Sequence, residues 1–345
     1  MILAIETSCD ETAVCLLDER LYFTPGVESR EFIIAEKISS QIDLHKRYGG
    51  VVPELASREH LKTLPHLVRS ALLEADISFD RVKRMAVTAG PGLKGCLLVG
   101  VNYARALGLK LGVEVIPINH LEGHLYASHI CPKEDRPKGS SLVLLVSGGH
   151  TSIYRWDKPN QYKLLTNTRD DSAGEAFDKS ASLLQLPYPG GPELSKAAQK
   201  VSSAKYSFPI GMPDDDSSFS FSGFKTAVLK EVTKLSSISD EVSEIAWSVE
   251  DAVCRALTDK LKRAIKNNSN ISNLVLTGGV AANQKLRKQI EQISDAEGLE
   301  LYVPNKKWCT DNASMIAVCC AETYKGDLNY DFQVRPRWLL GAQSK

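Results

Sequence analysis

No charge of either sign predominates in this 345-residue chain: Lys plus Arg is 42, Asp plus Glu is 42, and the formal net charge is +0. A surface that wraps nucleic acid throughout is normally basic, so contact with a polyanion has to run through a local patch or a partner. No run of about 18 uncharged apolar residues occurs, and no membrane role is expected. Glu6 arrives before any basic n-region, so no secretory signal is expected either. The eight cysteines contain no C-x-x-C pair, which argues against a disulfide scaffold and a Cys-rich structural zinc site. Reduced thiols in a cytoplasmic setting are the simpler expectation. Walker A and dinucleotide fingerprints are both missing, which disfavours P-loop NTPases and Rossmann dehydrogenases.

Hydrophobic residues at 43% and charged residues at 24% describe an ordinary globular chain, long enough for two domains. The order of elements reads twice. Residues 2–5 and 13–17 form strands around the polar loop 6–12, and residues 142–146 and 152–156 form strands around Ser147-Gly148-Gly149-His150-Thr151. Each hairpin is followed by helical sequence and then by a strand, a glycine turn and a helix: 85–88, 89–92 and 95–111, then 274–277, 278–280 and 281–293. Two α/β lobes of related build are expected, with a seam near 112–120. Residues 207–222 read as irregular, and 241–266 as a long helix.

Glycine turns between a strand and a helix expose backbone N–H groups that suit phosphate, although tight turns also need glycine for structural reasons alone. Three such turns, at 88–95, 147–151 and 277–283, point to a nucleotide held between lobes. His120 and His124 stand at i, i+4, so one helix face carries both imidazoles and can share a metal. A third ligand is required. Asp311 is the best candidate, with a helix N-cap as the equally plausible structural role. The pattern is not H-E-x-x-H, because Glu122 follows the first histidine by two residues. The acidic stretch with Asp170, Asp171, Glu175 and Asp178 reads either as a solvated first helical turn or as carboxylates facing ribose or metal. Lys and Arg outnumber Asp and Glu across 255–307, mostly as a solvated helix face.

The motifs taken together resemble one family in order. They run through Ile5-Glu6-Thr7-Ser8-Cys9-Asp10-Glu11-Thr12, Tyr48-Gly49-Gly50-Val51-Val52-Pro53-Glu54, Thr88-Ala89-Gly90-Pro91-Gly92-Leu93 and His120-Leu121-Glu122-Gly123-His124. They continue through Leu145-Val146-Ser147-Gly148-Gly149-His150-Thr151, Gly174-Glu175-Ala176-Phe177-Asp178-Lys179, Tyr188-Pro189-Gly190-Gly191-Pro192 and Phe219-Ser220-Phe221-Ser222-Gly223. Gly278-Gly279-Val280-Ala281-Ala282-Asn283, Cys309-Thr310-Asp311-Asn312 and Val334-Arg335-Pro336-Arg337-Trp338 complete the set. This resembles the TsaD family, the bacterial tRNA N6-adenosine threonylcarbamoyltransferases, once described as glycoproteases.

The resemblance implies an α/β chain with the actin-like ATPase (sugar kinase/Hsp70/actin) fold, two ribonuclease-H-like lobes around a nucleotide cleft. Lobes at 1–115 with 313–345 and at 116–312 are expected. It implies transfer of threonylcarbamoyl from threonylcarbamoyl-AMP to N6 of adenine 37 in tRNAs reading ANN codons, giving t6A and AMP. By position it places metal ligands on His120, His124 and Asp311, for one Fe2+ or Zn2+ per chain. It places substrate contacts on Leu145, Val146, Ser147, Gly148, Gly149, Asp178, Gly191, Glu193 and Asn283. Glu11, His120 and His124 are the catalytic candidates. Implied partners are tRNA, a TsaB-like paralogue and a TsaE-like ATPase, with the donor made by a separate TsaC/Sua-type synthase. The apolar residues Val51, Val52, Leu55, Leu61, Leu64 and Leu67 are candidates for the paralogue's docking face. No Ser-His-Asp or Cys-His pair suggests a covalent intermediate, so direct attack is expected. Rival readings are a metallopeptidase, a small-molecule kinase and a nucleotide-gated scaffold. Segment 20–36 departs from the family pattern and reads as a lengthened hairpin.

Overall fold

The apolar run at the start of the chain forms β1 (Ile2–Glu6), whose five residues are all buried. Such a run has no solvent face, which fits a central strand covered on both sides. It pairs antiparallel with β2 (Glu11–Leu17), and β2 pairs antiparallel with β3 (Ile33–Ser40). Two short helices, α1 (Glu19–Tyr22) and α2 (Ser29–Phe32), fill the β2–β3 connection and account for the lengthened hairpin. On its other side β1 pairs parallel with β4 (Arg84–Gly90), which pairs parallel with β5 (Glu114–Asn119). The sheet order is β3-β2-β1-β4-β5. Helices α3 (Ile42–Lys46), α4 (Pro53–Glu74), α5 (Lys94–Leu111) and α6 (His120–Tyr126) complete this part, with a C-terminal helix at Ala313–Thr323.

The computed structural model describes residues 1–203, 205–324 and 330–340. The chain divides into two compact units, Met1–Pro137 with Thr310–Lys345, and Lys138–Cys309. The first boundary falls after the 112–120 region where the sequence suggests it. The reason is hydrogen bonding: β5 is a strand of the first sheet, and α6 follows it directly. The expected C-terminal segment 313–345 includes 325–329 and 341–345, which lie outside the described residues.

The second unit repeats the arrangement. β6 (Ser141–Val146), β7 (Thr151–Lys158) and β8 (Gln161–Thr168) form an antiparallel meander, and β9 (Ser218–Phe219) adds a short edge. β10 (Asn273–Thr277) pairs parallel with β6, and β11 (Glu300–Tyr302) pairs parallel with β10. Its helices are α7 (Ala173–Leu183), α8 (Gly190–Ala198), α9 (Ser222–Val232), α10 (Val242–Lys266) and α11 (Gln284–Glu297). The expected helix 281–293 begins later, because 279–282 winds as a 3-10 turn that Asn283 closes by capping α11. Each unit has its own apolar core, between β1, β4 and α4 in the first and between β6, β10 and α10 in the second. Among the described residues, no helix is long and apolar enough to cross a membrane.

Candidate metal centre and nucleotide pocket

His120 is the first residue of α6 because Asn119 caps it, accepting from the N–H of Leu121 and Glu122. One turn on, His124 shares its face, and the two rings meet edge to face with centroids 4.7 Å apart. Between them stands Gly123, where a Cβ would lie 2.7 Å from Ile316 Cδ1. A glycine there lets α6 approach the C-terminal helix closely, and that helix is preceded by Asp311. The N-cap of that helix is Asn312, whose side chain accepts from Met315 N at 2.8 Å. Capping therefore does not account for Asp311. Its Oδ1 lies 3.2 Å from His124 Nε2 and 3.5 Å from His120 Nε2, and the ligand-type atoms of all three residues fall within 4.8 Å of one another.

The donor set fits a divalent ion. Ligand atoms around a tetrahedral ion at about 2.0–2.2 Å stand roughly 3.4 Å apart, close to the two distances above. The second ring nitrogen of His120 adds support. Nδ1 lies 3.0 Å from Glu6 Oε2 and 3.2 Å from Ser8 Oγ. An ionised carboxylate only accepts, so Nδ1 carries the proton and Nε2 is left to ligate. Glu6 is fully buried, and it also accepts from Thr88 Oγ1 and the Ser8 N–H, each at 2.5 Å. Burial pushes Glu6 up, but the charge and hydrogen bond of His120 outweigh it and hold the carboxyl below its usual range. Burial likewise pushes His120 down, while Asp311 and Glu6 outweigh it and raise the imidazole to about 9. Glu11 begins β2 and receives a bond from Ser40 Oγ at 3.1 Å. Burial, then Asp311 and Asp10, push its carboxyl up to about 9. Carboxylates crowded this closely favour a bound cation.

Neither Glu6 nor His60 is marked as a site residue by the sequence alone. His60 on α4 lies 2.9 Å from the Cys9 carbonyl through Nε2 and 2.7 Å from Thr12 Oγ1 through Nδ1. It pins the 7–12 loop beside the cluster, and a histidine inside a helical pattern carries no sequence mark of that role.

The glycine turns behave differently from one another. At 88–95, a Cβ on Gly90 would meet the Arg335 carbonyl at 1.9 Å, and one on Gly92 would meet the Ser8 carbonyl at 2.7 Å. That turn is closed by its own chain. Gly278, at φ +91°, would place a Cβ 2.4 Å from Val146 O, so its role is structural. Gly148 and Gly149 have nothing within 4 Å of where a Cβ would stand. Beside Gly148 opens a cavity of about 580 Å³ in the second unit, bordered also by Phe177, Asp178, Gly191, Ser195, Glu250, Gly279, Val280 and Asn283, with Lys196, Lys285 and Lys288 among its lining residues. Its size suits a small-molecule ligand. Asp178 Oδ1 accepts from the N–H of Gly190 and Gly191 at 2.8 and 3.1 Å and so shapes the start of α8. Leu145 and Val146 are fully buried in β6, and Ser147 is nearly so. Glu193 is half-buried on α8 and does not border the cavity, whereas Ser195, Lys196 and Gln199 of the same segment do. The acidic stretch is also accounted for in part: Asp170 accepts from the N–H groups of Phe221 and Ser222, and Asp171 pairs with Lys179.

The sequence profile described as TsaD, tRNA N6-adenosine threonylcarbamoyltransferase, matches residues 32–318. A protein of that name from Thermosipho africanus is 43% identical over 332 residues, covering 96% of each chain. One from Thermosipho melanesiensis is 45% identical over 334 residues, covering 96% of this chain and 98% of its own. The chain belongs to the tRNA N6-adenosine threonylcarbamoyltransferase family. Among solved structures it is similar to component A of Acidaminococcus fermentans (R)-2-hydroxyglutaryl-CoA dehydratase, with TM-score 0.54, 14% identity and 92% and 96% of the two chains covered. It is also similar to HypF from T. kodakarensis, with TM-score 0.58, 13% identity and 93% and 47% covered. At these identities the likeness concerns the fold alone, and the fold is the actin-like ATPase one. In this family member the metal-type cluster lies in the first unit and the cavity in the second.

Proposed function

We propose that this chain transfers the threonylcarbamoyl group from threonylcarbamoyl-AMP to N6 of adenine 37 in tRNAs reading ANN codons, forming t6A and releasing AMP. The observation that carries the reading is the meeting of His120, His124 and Asp311, far apart in sequence, in a chain of this transferase family. These three residues hold one divalent ion. Imidazole and carboxylate donors suit Zn2+ and Fe2+ alike, and elemental analysis of the purified chain decides between them. When bound, the ion supplies Lewis-acid charge for a polarised carbonyl and a departing phosphate.

The chain's own residues do the rest. Glu6 takes the Nδ1 proton of His120 as a hydrogen bond and fixes that ring. The backbone N–H groups of Gly148 and Gly149, where an added Cβ would meet nothing within 4 Å, donate to the adenylate phosphate. Asp178 holds the Gly190–Gly191 turn that forms part of the pocket wall, and Gly191 and Asn283 border the nucleotide. Glu11 completes the acidic wall beside Asp311. The adenylate's mixed anhydride provides the leaving group that an aryl amine needs, so the N6 amine attacks directly.

A metallopeptidase would want a general-base glutamate between its two histidines in the zincin position, and Glu122 does not occupy it. A scaffold without catalysis leaves the buried cluster without a use. The remaining proposals follow the resemblance: a cytoplasmic reaction on tRNA, donor from a TsaC/Sua-type synthase, and a TsaE-like ATPase. A TsaB-like paralogue docks on the first unit. An apolar groove of about 290 Å³ between α4 and α5 supports that docking, with Leu61 at 66% and Leu98 at 39% exposure on its rim. Leu64, by contrast, is fully buried core. Mass spectrometry of tRNA nucleosides tests the function. Depletion of this protein removes t6A, and unchanged t6A overturns the assignment.

A further inference from the structure

One wall of the second unit's cavity has a hydrogen-bond inventory that selects its ligand. Glu250 on α10 is only 6% exposed yet borders the cavity. Its Oε1 accepts from Ser195 Oγ at 2.7 Å and from Asn283 Nδ2 at 2.7 Å. Asn283 Nδ2 also donates to Ser195 Oγ at 2.9 Å. Asn283 Oδ1 is engaged by the Leu286 N–H at 2.8 Å, which fixes the orientation of the amide. The protons can be counted. Both amide N–H bonds of Asn283 and the single O–H of Ser195 are spent inside the trio. Glu250 Oε2 takes no part in these bonds, and Ser195 Oγ keeps a lone pair. The trio therefore offers a ligand acceptors and no proton. It repels phosphate and matches a group rich in donors.

An adenylate has two such groups, the ribose hydroxyls and the adenine amine. Asn283 follows the 3-10 turn Gly279–Ala282, whose first residue borders the same cavity. Gly148, at the turn given to the phosphate, borders the cavity together with the trio, so a phosphate held there leaves the trio to meet the rest of the adenylate. We propose that Glu250, fixed by Ser195 and Asn283, binds the ribose diol of the adenylate and selects ribonucleotides over 2′-deoxyribonucleotides. This rests on the nucleotide reading of the cavity.

Calorimetry of the full chain with AMP, 2′-deoxy-AMP and IMP tests it. Hydrogen bonds to a charged acceptor predict roughly 10- to 100-fold preference for AMP over 2′-deoxy-AMP, with little preference over IMP. Glu250→Ala brings the ratio of AMP to 2′-deoxy-AMP affinity close to one. Glu250→Gln, which keeps an oxygen for Ser195 and Asn283, preserves folding and narrows the same ratio. Equal wild-type affinities, or an unchanged ratio in Glu250→Gln, overturn the proposal. If the variants instead lose a preference for AMP over IMP, the trio reads the base amine and the ribose assignment fails. A wild-type chain that binds no AMP removes the nucleotide reading itself, a failure distinct from loss of ribose discrimination alone.

Discussion

The two units share a strand order and put its corresponding turns to opposite use. Read from the meander edge, one sheet runs β3-β2-β1-β4-β5 and the other, inside its extra edge strand, β8-β7-β6-β10-β11. In the first unit the turn after β4 is closed by Arg335 and Ser8, and the loop after β1 is held by Glu6 and His60. In the second unit the turns after β6 and β10 border an open cavity. The polar interior differs in kind as well. The first unit concentrates carboxylates and imidazoles around one point, a place for an ion. The second presents backbone amides and an acceptor-only wall, a place for a neutral or partly anionic organic ligand. Topology supplies equivalent turns, and side-chain chemistry decides what each can hold.

The largest expected effect breaks the first half of that contrast. His120→Ala with His124→Ala removes two of three ligands, so the purified double variant carries no stoichiometric metal and transfers no threonylcarbamoyl, while its circular dichroism is unchanged. Full metal content by elemental analysis would place the ion elsewhere. Glu6→Gln is milder, since it leaves all three ligands in place and alters only the carboxylate that receives hydrogen bonds from His120 Nδ1, Thr88 Oγ1 and the Ser8 N–H. It lowers metal affinity by about 10- to 100-fold, measured by competition with a chelating dye.

A pair of glycine substitutions sharpens the second half. Gly148→Val fills open space beside the cavity and weakens AMP binding by about tenfold or more, with the melting temperature unchanged; the exposed Lys262→Ala serves as the neutral control. Gly278→Val does the reverse. Its Cβ would press on Val146 O in a left-handed backbone conformation, so it lowers the melting temperature sharply. Two turns that look alike as sequence then separate into one for ligand and one for packing. A Gly148→Val chain that binds AMP normally would move the phosphate away from that turn.

Much of this was legible beforehand because local rules suffice for it. Buried apolar runs marked β1, β6 and β10, and i, i+4 spacing put His120 and His124 on one helix face. Asp311 was harder, since its pairing depends on how closely α6 meets the C-terminal helix, and Gly123 marks that only in retrospect. The boundary after Pro137 lies beyond the 112–120 region that local signals suggest, because a parallel strand such as β5 announces its partner by no local signal. Glu250 was illegible for a similar reason: within the helical pattern of α10 it reads as one more solvated charge, and only three-dimensional neighbours reveal a buried acceptor.

The smallest expected effect concerns acid. The first unit buries a second charged group beyond the metal-type cluster. Arg136 stacks on the Tyr22 ring at 3.6 Å, Tyr22 OH donates to Glu322 Oε1 at 2.7 Å, and His129 Nδ1 lies 3.5 Å from the same oxygen. Burial pushes Glu322 up, but the bonds from His129 and Tyr22 and the Arg136 charge outweigh it, so its carboxyl sits below the ordinary 4.5. Burial holds His129 below its ordinary 6.5 despite Glu322. Both shifts have the same sign. A group with a depressed folded pKa stabilises above its unfolded value and loses that contribution as pH falls through the folded one. His129 thus begins to cost stability below about 6.5, and Glu322 below about 4.5. The carboxylates with lowered pKa in the second unit, Asp157, Asp170, Asp215 and Glu241, all remain in contact with solvent that screens them, so they contribute little. Hydrogen exchange at pH 7 and pH 5 should therefore show α1 and the C-terminal helix losing protection before α10. Loss of protection in α10 first would mean that the buried network is not what ties the first unit's stability to pH.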